Sequence, residues 1–407
     1  MKRRSILRLA LLASALPLAA NLPAAAQDTK PIRIGIPTAL QLQVGRDTID
    51  AVQMAIDEIN AKGGVLGRKM EMVAADETEN PEQGINAIKK LTADEKVDVL
   101  IGGYTSGVTL AQLPHIATAK TIYLGVGAAS PAITNSVKQN YERNKYIFRV
   151  QPLNSAHQAR QLVDFISGNL MKERGVKKIG IVGENAKWVQ DLIPTLKKGA
   201  VEAGAEVPLT EFFDTATSDF SPLLSKVRDS GAQYLVVILS HASSDIFVKQ
   251  WHDAQVPVPI GGIDVKSMDP DFFTRVGGKA ISETISIAAV PAPLTEKTIP
   301  FFEGFKKRFN RNPVYTAIGA YDSPFIYAEA VQRAGSTDPE KVIPQLEKTD
   351  YKGVPGRIVF DETHDVKPGP GFTNLLFVQW QEEGKRVVVW PKEVATGKMI
   401  DPPWMKK

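Results

Sequence analysis

The chain of 407 residues contains no cysteine. That excludes a disulfide, a thiolate metal site, a cysteine nucleophile and a lipid anchor attached through an N-terminal cysteine. Histidine is scarce: His115, His157, His241, His252 and His364 are all there are, and no two share metal-ligand spacing on one helix face. No metal site is therefore expected. The signatures HExxH, GxSxG and GxxxxGK[ST] are missing, as is an EF-hand loop. No carboxylate pair is set by a motif for glycoside chemistry. Residues 125–130 read GVGAAS and superficially suggest GxGxxG, but the third glycine is lacking. No enzyme and no cofactor are expected. Beyond the N-terminus there is no long apolar run, so no later transmembrane span is expected.

A large excess of charge is also lacking. The whole chain has 49 basic and 45 acidic residues, a formal charge of +4. Four of the basic residues, Lys2, Arg3, Arg4 and Arg8, fall in the first 26, which hold no acid. Charges in the remainder balance, which gives no reason to propose nucleic acid or an anionic membrane as partner. Those 26 residues read as a leader: a basic start, an apolar stretch over Leu9–Ala20 and small residues at Ala24, Ala25 and Ala26. Cleavage is expected near Ala26. Paired Arg3 and Arg4 suit either the general secretory or the twin-arginine route. A leader without an anchor predicts a soluble exported protein, periplasmic in a Gram-negative cell.

Beyond the leader the chain alternates between strand and helix. Residues 46–84 show the pattern at its clearest. Ile49, Val52, Met54, Ala55, Ile56 and Ile59 make a broad apolar helix face, Gly63 and Gly64 stop it, and 69–74 alternates as a strand. Asn80 and Pro81 then supply an N-cap and an N1 proline. Strands are expected at 32–36, 69–74, 97–101, 122–126 and 146–150, with helices near 46–62, 81–94 and 107–118 between them. A second series places strands at 178–182, 206–213, 234–239 and 259–263 among helices at 155–173, 189–203, 220–230 and 243–254. After a strand at 285–290 come helices near 296–310, 316–334 and 339–348. Terminal strands are expected at 357–360, 375–380 and 386–390. Such alternation means parallel sheets with helices on both faces, and the length calls for two lobes. The stretch 127–145 reads as a polar spacer.

Several strings along the chain, in order, resemble one family: IGIPTAL at the first strand, INAKGG within 59–64, DVLIGGYTSG, IYLGVGAASPAIT, YIFRVQP, KKIGIVGENAKW, PIGGID and GRIVFDETHD. The family is the type I periplasmic solute-binding proteins of branched-chain-amino-acid-type ABC importers. The resemblance implies an α/β fold of two Rossmann-like lobes joined by three crossover hinges. Residues 27–150 with 289–355 would form the first lobe, and 151–288 with 356–407 the second. It implies a small-molecule solute in the cleft, an inner-membrane ABC permease as partner and a monomer. A periplasmic sensor reporting to a membrane receptor uses the same fold and is the alternative. An exported hydrolase is a third reading with no motif behind it.

Candidate site residues come from loops at strand ends, where open α/β sheets bind ligands. Thr105 and Ser106 precede a helix whose free N–H groups suit a carboxylate. Either could instead cap that helix. The family uses a serine at the position of Ser106 for a ligand carboxylate. Gly127, Ala128 and Ala129 lack bulk and let a ligand reach backbone, and Ser130 comes directly after them. Amino-acid binders often have threonine where Ala129 stands, so its absence leaves an α-ammonium group unsupported. Trp188 matches a family tyrosine that covers the ligand, with core packing as the alternative. Asp264 lies near an acidic family position, though Ile263 fits the same place and a turn role suits Asp264 equally. Ser240 and His241 end a strand facing the expected cleft. Val44 replaces a frequent tyrosine, and Gln41 or Gln43 can reach a ligand or simply face water. Tyr315 and Tyr321 wall the cleft or pack in the core. The expected solute is a hydrophobic or branched-chain amino acid, or an aromatic or aliphatic carboxylic acid.

Overall fold

The computed structural model describes residues 30–405. The expected leader lies outside the described residues. Five parallel strands form the first sheet: β1 (Ile32–Thr38), β2 (Met70–Asp76), β3 (Val99–Gly102), β4 (Ile122–Gly125) and β5 (Ile147–Arg149), in the order β2-β1-β3-β4-β5. The second sheet is built from β6 (Lys178–Glu184), β7 (Glu206–Phe213), β8 (Tyr234–Leu239), β9 (Ile260–Asp264) and β10 (Thr284–Ile287). A hairpin of β11 (Asp350–Lys352) and β12 (Arg357–Val359) stands apart. Then β13 (Leu376–Trp380) and β14 (Arg386–Trp390) complete the second sheet, in the order β14-β13-β10-β9-β8-β6-β7. β13 and β14 are antiparallel additions to an otherwise parallel sheet.

Local chemistry explains the elements. Asn80 accepts from the backbone N–H of Glu82 and Gln83 and starts the helix Pro81–Lys89 with proline at its first turn. All six residues of β8 are buried, as a strand covered on both faces requires. The helix expected from 46 begins earlier and runs Gln43–Ala61, because the extended Leu42 is its N-cap residue. The stretch 127–145 is not a bare spacer: Ser130 accepts from the N–H of Ala132 and opens the helix Pro131–Gln139. The helix Ser155–Phe165 continues as a π-helical turn over Ile166–Met171.

The chain crosses between the sheets three times. After β5 it enters the helix Ser155–Phe165, whose Leu162 and Phe165 join the second core. After β10 it returns, and Phe301, Phe305, Ile318 and Tyr327 pack with Ile34, Ile101 and Leu124 in the first core. The hairpin keeps Ile358 in that core, together with Phe360 just beyond it, before the chain passes to β13. The first and third crossovers are tied by a buried ion pair, Arg149 to Asp365 at 2.5 Å, with Asn154 and Thr134 also donating to Asp365 at 2.9 and 2.7 Å. Among the described residues no helix is long and apolar enough to cross a membrane.

Candidate functional site

The two sheets aim the carboxyl ends of their parallel strands at one cleft, and a cavity of about 270 Å³ lies there. One wall comes from the loops after β3 and β4: Tyr104 to Val108, Gly127 and Ala129. The facing wall comes from the second lobe: Asn185 to Trp188 after β6, Ser240 and His241 after β8, Ile263, Val265 and Met268 around the end of β9, and Ser286 to Ala288. Tyr315 and Leu375 close the sides.

The first wall is made of backbone and small groups. A Cβ on Gly127 would sit 2.2 Å from the Gly103 carbonyl oxygen, so only glycine lets the two loops touch. The Oγ of Ser106 accepts from the N–H groups of Ala129 and Ser130 at 3.1 and 3.0 Å, locking the loops together and leaving its proton to donate. Thr105 is the N-cap residue of the helix Ser106–Ala119, yet no side chain caps that helix. Its first N–H groups thus have no intrahelical or capping acceptor, and Ser106, Gly107 and Val108, which carry them and their partial positive charge, line the cavity. Beneath this loop lies fully buried Glu77, which takes Gln112 Nε2 at 2.8 Å. Burial pushes its carboxyl up to about 7, against the hydrogen bonds from Gln112 and the Tyr104 backbone.

The second wall is aromatic and charged. Trp188 is buried, and its Nε1 donates to Ser240 Oγ at 3.2 Å. Ser240 in turn donates to Glu184, whose other oxygen accepts the His241 N–H at 3.0 Å. His241 Nδ1 stands 2.8 Å from Glu184 Oε1 and 3.2 Å from Ser240 Oγ. Burial alone would raise the Glu184 carboxyl, but its bonds to His241 and Ser240 outweigh that and hold it below the usual range. Burial works to lower His241, and the Glu184 carboxylate overrides it and raises the imidazole. The three side chains do not form a proton relay. A relay needs one imidazole nitrogen on the hydroxyl and the other on the acid. Here a single nitrogen faces both, and the serine donates to the acid.

Contacts span the cleft. Tyr104 donates to the Ser240 carbonyl at 3.3 Å, Ser130 donates to Asp191 at 2.5 Å, and His241 Nε2 lies 3.7 Å from Glu79.

Six of the eight residues singled out from the sequence line the cavity: Thr105, Ser106, Gly127, Ala129, Trp188 and Ser240. Two do not. Ala128 packs with Leu100, Tyr123 and Ile133 on the far side of its loop, because successive residues there point to opposite sides. Asp264 is fully buried and accepts from Ser244 Oγ at 2.5 Å and from the N–H groups of Lys266 and Ser267. It anchors the turn after β9, and burial pushes its carboxyl up to about 6. Ile263 and Val265 line the cavity in its place. The first turn of the helix Gln43–Ala61 also stays outside: Gln43 bonds Asp47 and Arg46, and Val44 is buried. Tyr315 walls the cavity, donating to the Gly127 carbonyl at 2.9 Å, whereas Tyr321 packs in the first core and donates to Glu58.

Gln158, Asn185, Lys187, Met268 and Ser286 also line the site and were not singled out. Only Gln158 had a readable signal: it is a polar residue on the helix stripe shared with Leu162 and Phe165.

Two lobes of this topology, facing each other across a polar and aromatic cleft, define a two-lobed solute-binding fold. A family model described as periplasmic binding protein matches residues 31–385, and the chain belongs to that family of solute-binding proteins. It is 26% identical over 345 residues to a leucine-, isoleucine-, valine-, threonine- and alanine-binding protein of Pseudomonas aeruginosa, covering 83% of this chain and 85% of that one. A solute-binding protein of an ABC transporter from Rhodopseudomonas palustris, solved with 3,4-dihydroxybenzoic acid, superposes with a TM-score of 0.76 at 21% identity, covering 92% of this chain and 99% of that one. A leucine-binding protein of Thermotoga maritima gives 0.76 at 21%, covering 88% and 98%. These likenesses support the two-lobed fold, and the family works with ABC transporter permeases.

Proposed function

We propose that this chain is the exported solute receptor of an ABC importer and captures a small carboxylic acid with an apolar body. The observation that carries the reading is the uncapped N-terminus of the helix Ser106–Ala119, opening with the Ser106 hydroxyl into a cavity whose apolar lining includes Trp188, Ile263, Val265 and Met268. Ser106 and the first N–H groups hold the carboxylate, and the second wall closes over the apolar body. The two lobes, divided as the sequence suggests but with the hairpin β11–β12 kept whole in the first, shut by movement about the crossovers. The free energy of solute binding drives that population shift. The protein works as a monomer in the periplasm after loss of its leader.

Within this class the cavity favours an acid without an α-ammonium group. An ammonium donates three hydrogen bonds and is best met by an anion. The Gly127 carbonyl already accepts from Tyr315, and the Ala129 carbonyl from Ser155. Asp264 is turned away, and the one carboxylate lining the cavity, Glu79, faces His241.

Titration calorimetry of the mature protein tests both levels. Leucine, 4-methylpentanoate, benzoate and phenylacetate are compared. The acids should bind, and 4-methylpentanoate more tightly than leucine. A saturating ligand at a hundred times its Kd should also add about 2.7 kcal/mol of stability. Silence with every acid and amino acid sinks the receptor reading. Preference for leucine over its des-amino partner restores the amino-acid class.

A further inference from the structure

Two polar groups in the cavity are buried and have no partner. Gln158 Oε1 and Ser286 Oγ both lack a hydrogen bond, and their residues are 6% and 1% exposed. Other buried atoms are unmatched elsewhere in the fold, but among the described residues these are the two that line the cavity, where a ligand group can reach them. The orientation of the Gln158 amide is fixed chemically. Its Nε2 donates to the Leu153 carbonyl at 2.6 Å, a contact an amide oxygen cannot make, so Oε1 is the atom left over.

The two groups lie on one face of the second lobe. Gln158, Leu162 and Phe165 share a stripe of the helix Ser155–Phe165. Phe165 stacks on Phe377 with ring centroids 4.1 Å apart, and Phe377 is the cross-strand partner of Ser286. Residues directly opposite in an antiparallel pair project from the same sheet face, so Ser286 lies under the helix that carries Gln158. Both face the first-lobe wall that carries Ser106.

We infer that Gln158 and Ser286 form a second polar subsite, which selects an acid carrying a hydroxyl group away from its carboxylate. Gln158 Oε1 can only accept, so the incoming group must donate. Ser286 Oγ can donate or accept. A hydroxyl meets either demand, donating to Gln158 or pairing with Ser286. A ketone or ether oxygen leaves Gln158 unpaired. An apolar tail leaves both unpaired, and a site with buried polar groups discriminates strongly against ligands that cannot match them.

The inference rests on the carboxylic-acid reading, and its test separates the two. Affinities of the mature protein are measured for matched pairs: 3- and 4-hydroxybenzoate against benzoate, and 6-hydroxyhexanoate against hexanoate. The best hydroxylated member should bind at least about tenfold more tightly than its parent. In Gln158→Leu and in Ser286→Ala that gap should shrink severalfold, the parent acid binding no more weakly than to wild type. Ser286→Ala removes one oxygen and no existing bond, so it serves if Gln158→Leu does not fold. Equal affinities within every pair overturn the subsite and leave the carboxylic-acid reading standing. A gap that survives both variants overturns it too. No binding of any acid removes both proposals together. Tighter binding of leucine than of 4-methylpentanoate, lost in Gln158→Leu, reassigns Gln158 to an ammonium group and overturns the hydroxyl.

Discussion

The two walls of the cleft meet the same cavity with opposite chemistry. The first-lobe wall offers a helix terminus, one serine hydroxyl and residues no larger than alanine at 127 and 129. Its shape is held from behind: Arg149 donates to the Ala128 carbonyl at 3.1 Å and to the Ser130 carbonyl, and pairs with Asp365. The second-lobe wall offers an indole, an imidazole held from behind by Glu184, and a methionine. On the proposed reading the first wall meets the carboxylate mainly with backbone N–H groups, which are the same whatever the residue, and the side chains of the second wall would carry most of the solute choice.

The largest effect should come from removing the support behind the first wall. Arg149→Ala leaves Asp365 buried without its counter-charge and should cost about 3–5 kcal/mol in denaturant unfolding. A loss under about 1 kcal/mol would mean the loop geometry does not depend on this clamp. Trp188→Ala strips the main apolar surface from the second wall. Solute affinity should fall roughly 30-fold, about 2 kcal/mol, with the fold retained. Ser106→Ala removes one donor from the first wall and should weaken an acid roughly tenfold. If its Kd is unchanged, the serine only pins the two loops together. Should Ser106→Ala cost more affinity than Trp188→Ala, the contrast between the walls is reversed.

The smallest effect concerns pH. His241 is raised in the fold, so its stabilisation is complete below the ordinary value of 6.5 and is lost as pH rises through its folded value. Glu184 is depressed, so its share is present above 4.5 and is lost as pH falls through its folded value. Their joint contribution therefore peaks between those values. The stability difference between wild type and His241→Asn, measured by urea titration, should be larger at pH 6 than at pH 8.5. A difference that does not vary with pH would show that the imidazole is neutral in the fold.

Much of the scaffold is legible in the sequence. The apolar helix face up to Ile59 and the stop at Gly63 rest on local periodicity, and so do the Asn80–Pro81 start and the all-apolar β8. Each depends on neighbours within a few residues, which sequence displays. The site was legible only where it sits at strand ends. Thr105, Ser106, Gly127, Ala129 and Ser240 line the cavity because parallel sheets place such loops at clefts, and Trp188 was pointed to by the family resemblance. Ala128 and Asp264 were misplaced because a one-residue change in a loop turns a side chain from cavity to core. Ser286 was missed because nothing in the pattern TISI marks one hydroxyl as unpaired.

The order of strand and helix and the lack of thiol chemistry were determined by the sequence alone, since they stem from composition and short-range pattern. The tertiary structure alone decided which atoms remain free. Ser106 keeps a proton because Ala129 and Ser130 use only its lone pairs. Asp264 has none of its charge to offer because Ser244 and the turn after β9 consume it. Gln158 keeps an oxygen because Leu153 takes only its nitrogen. Free hydrogen-bonding capacity is what remains after all contacts between distant segments are made, and those contacts exist only in the folded chain.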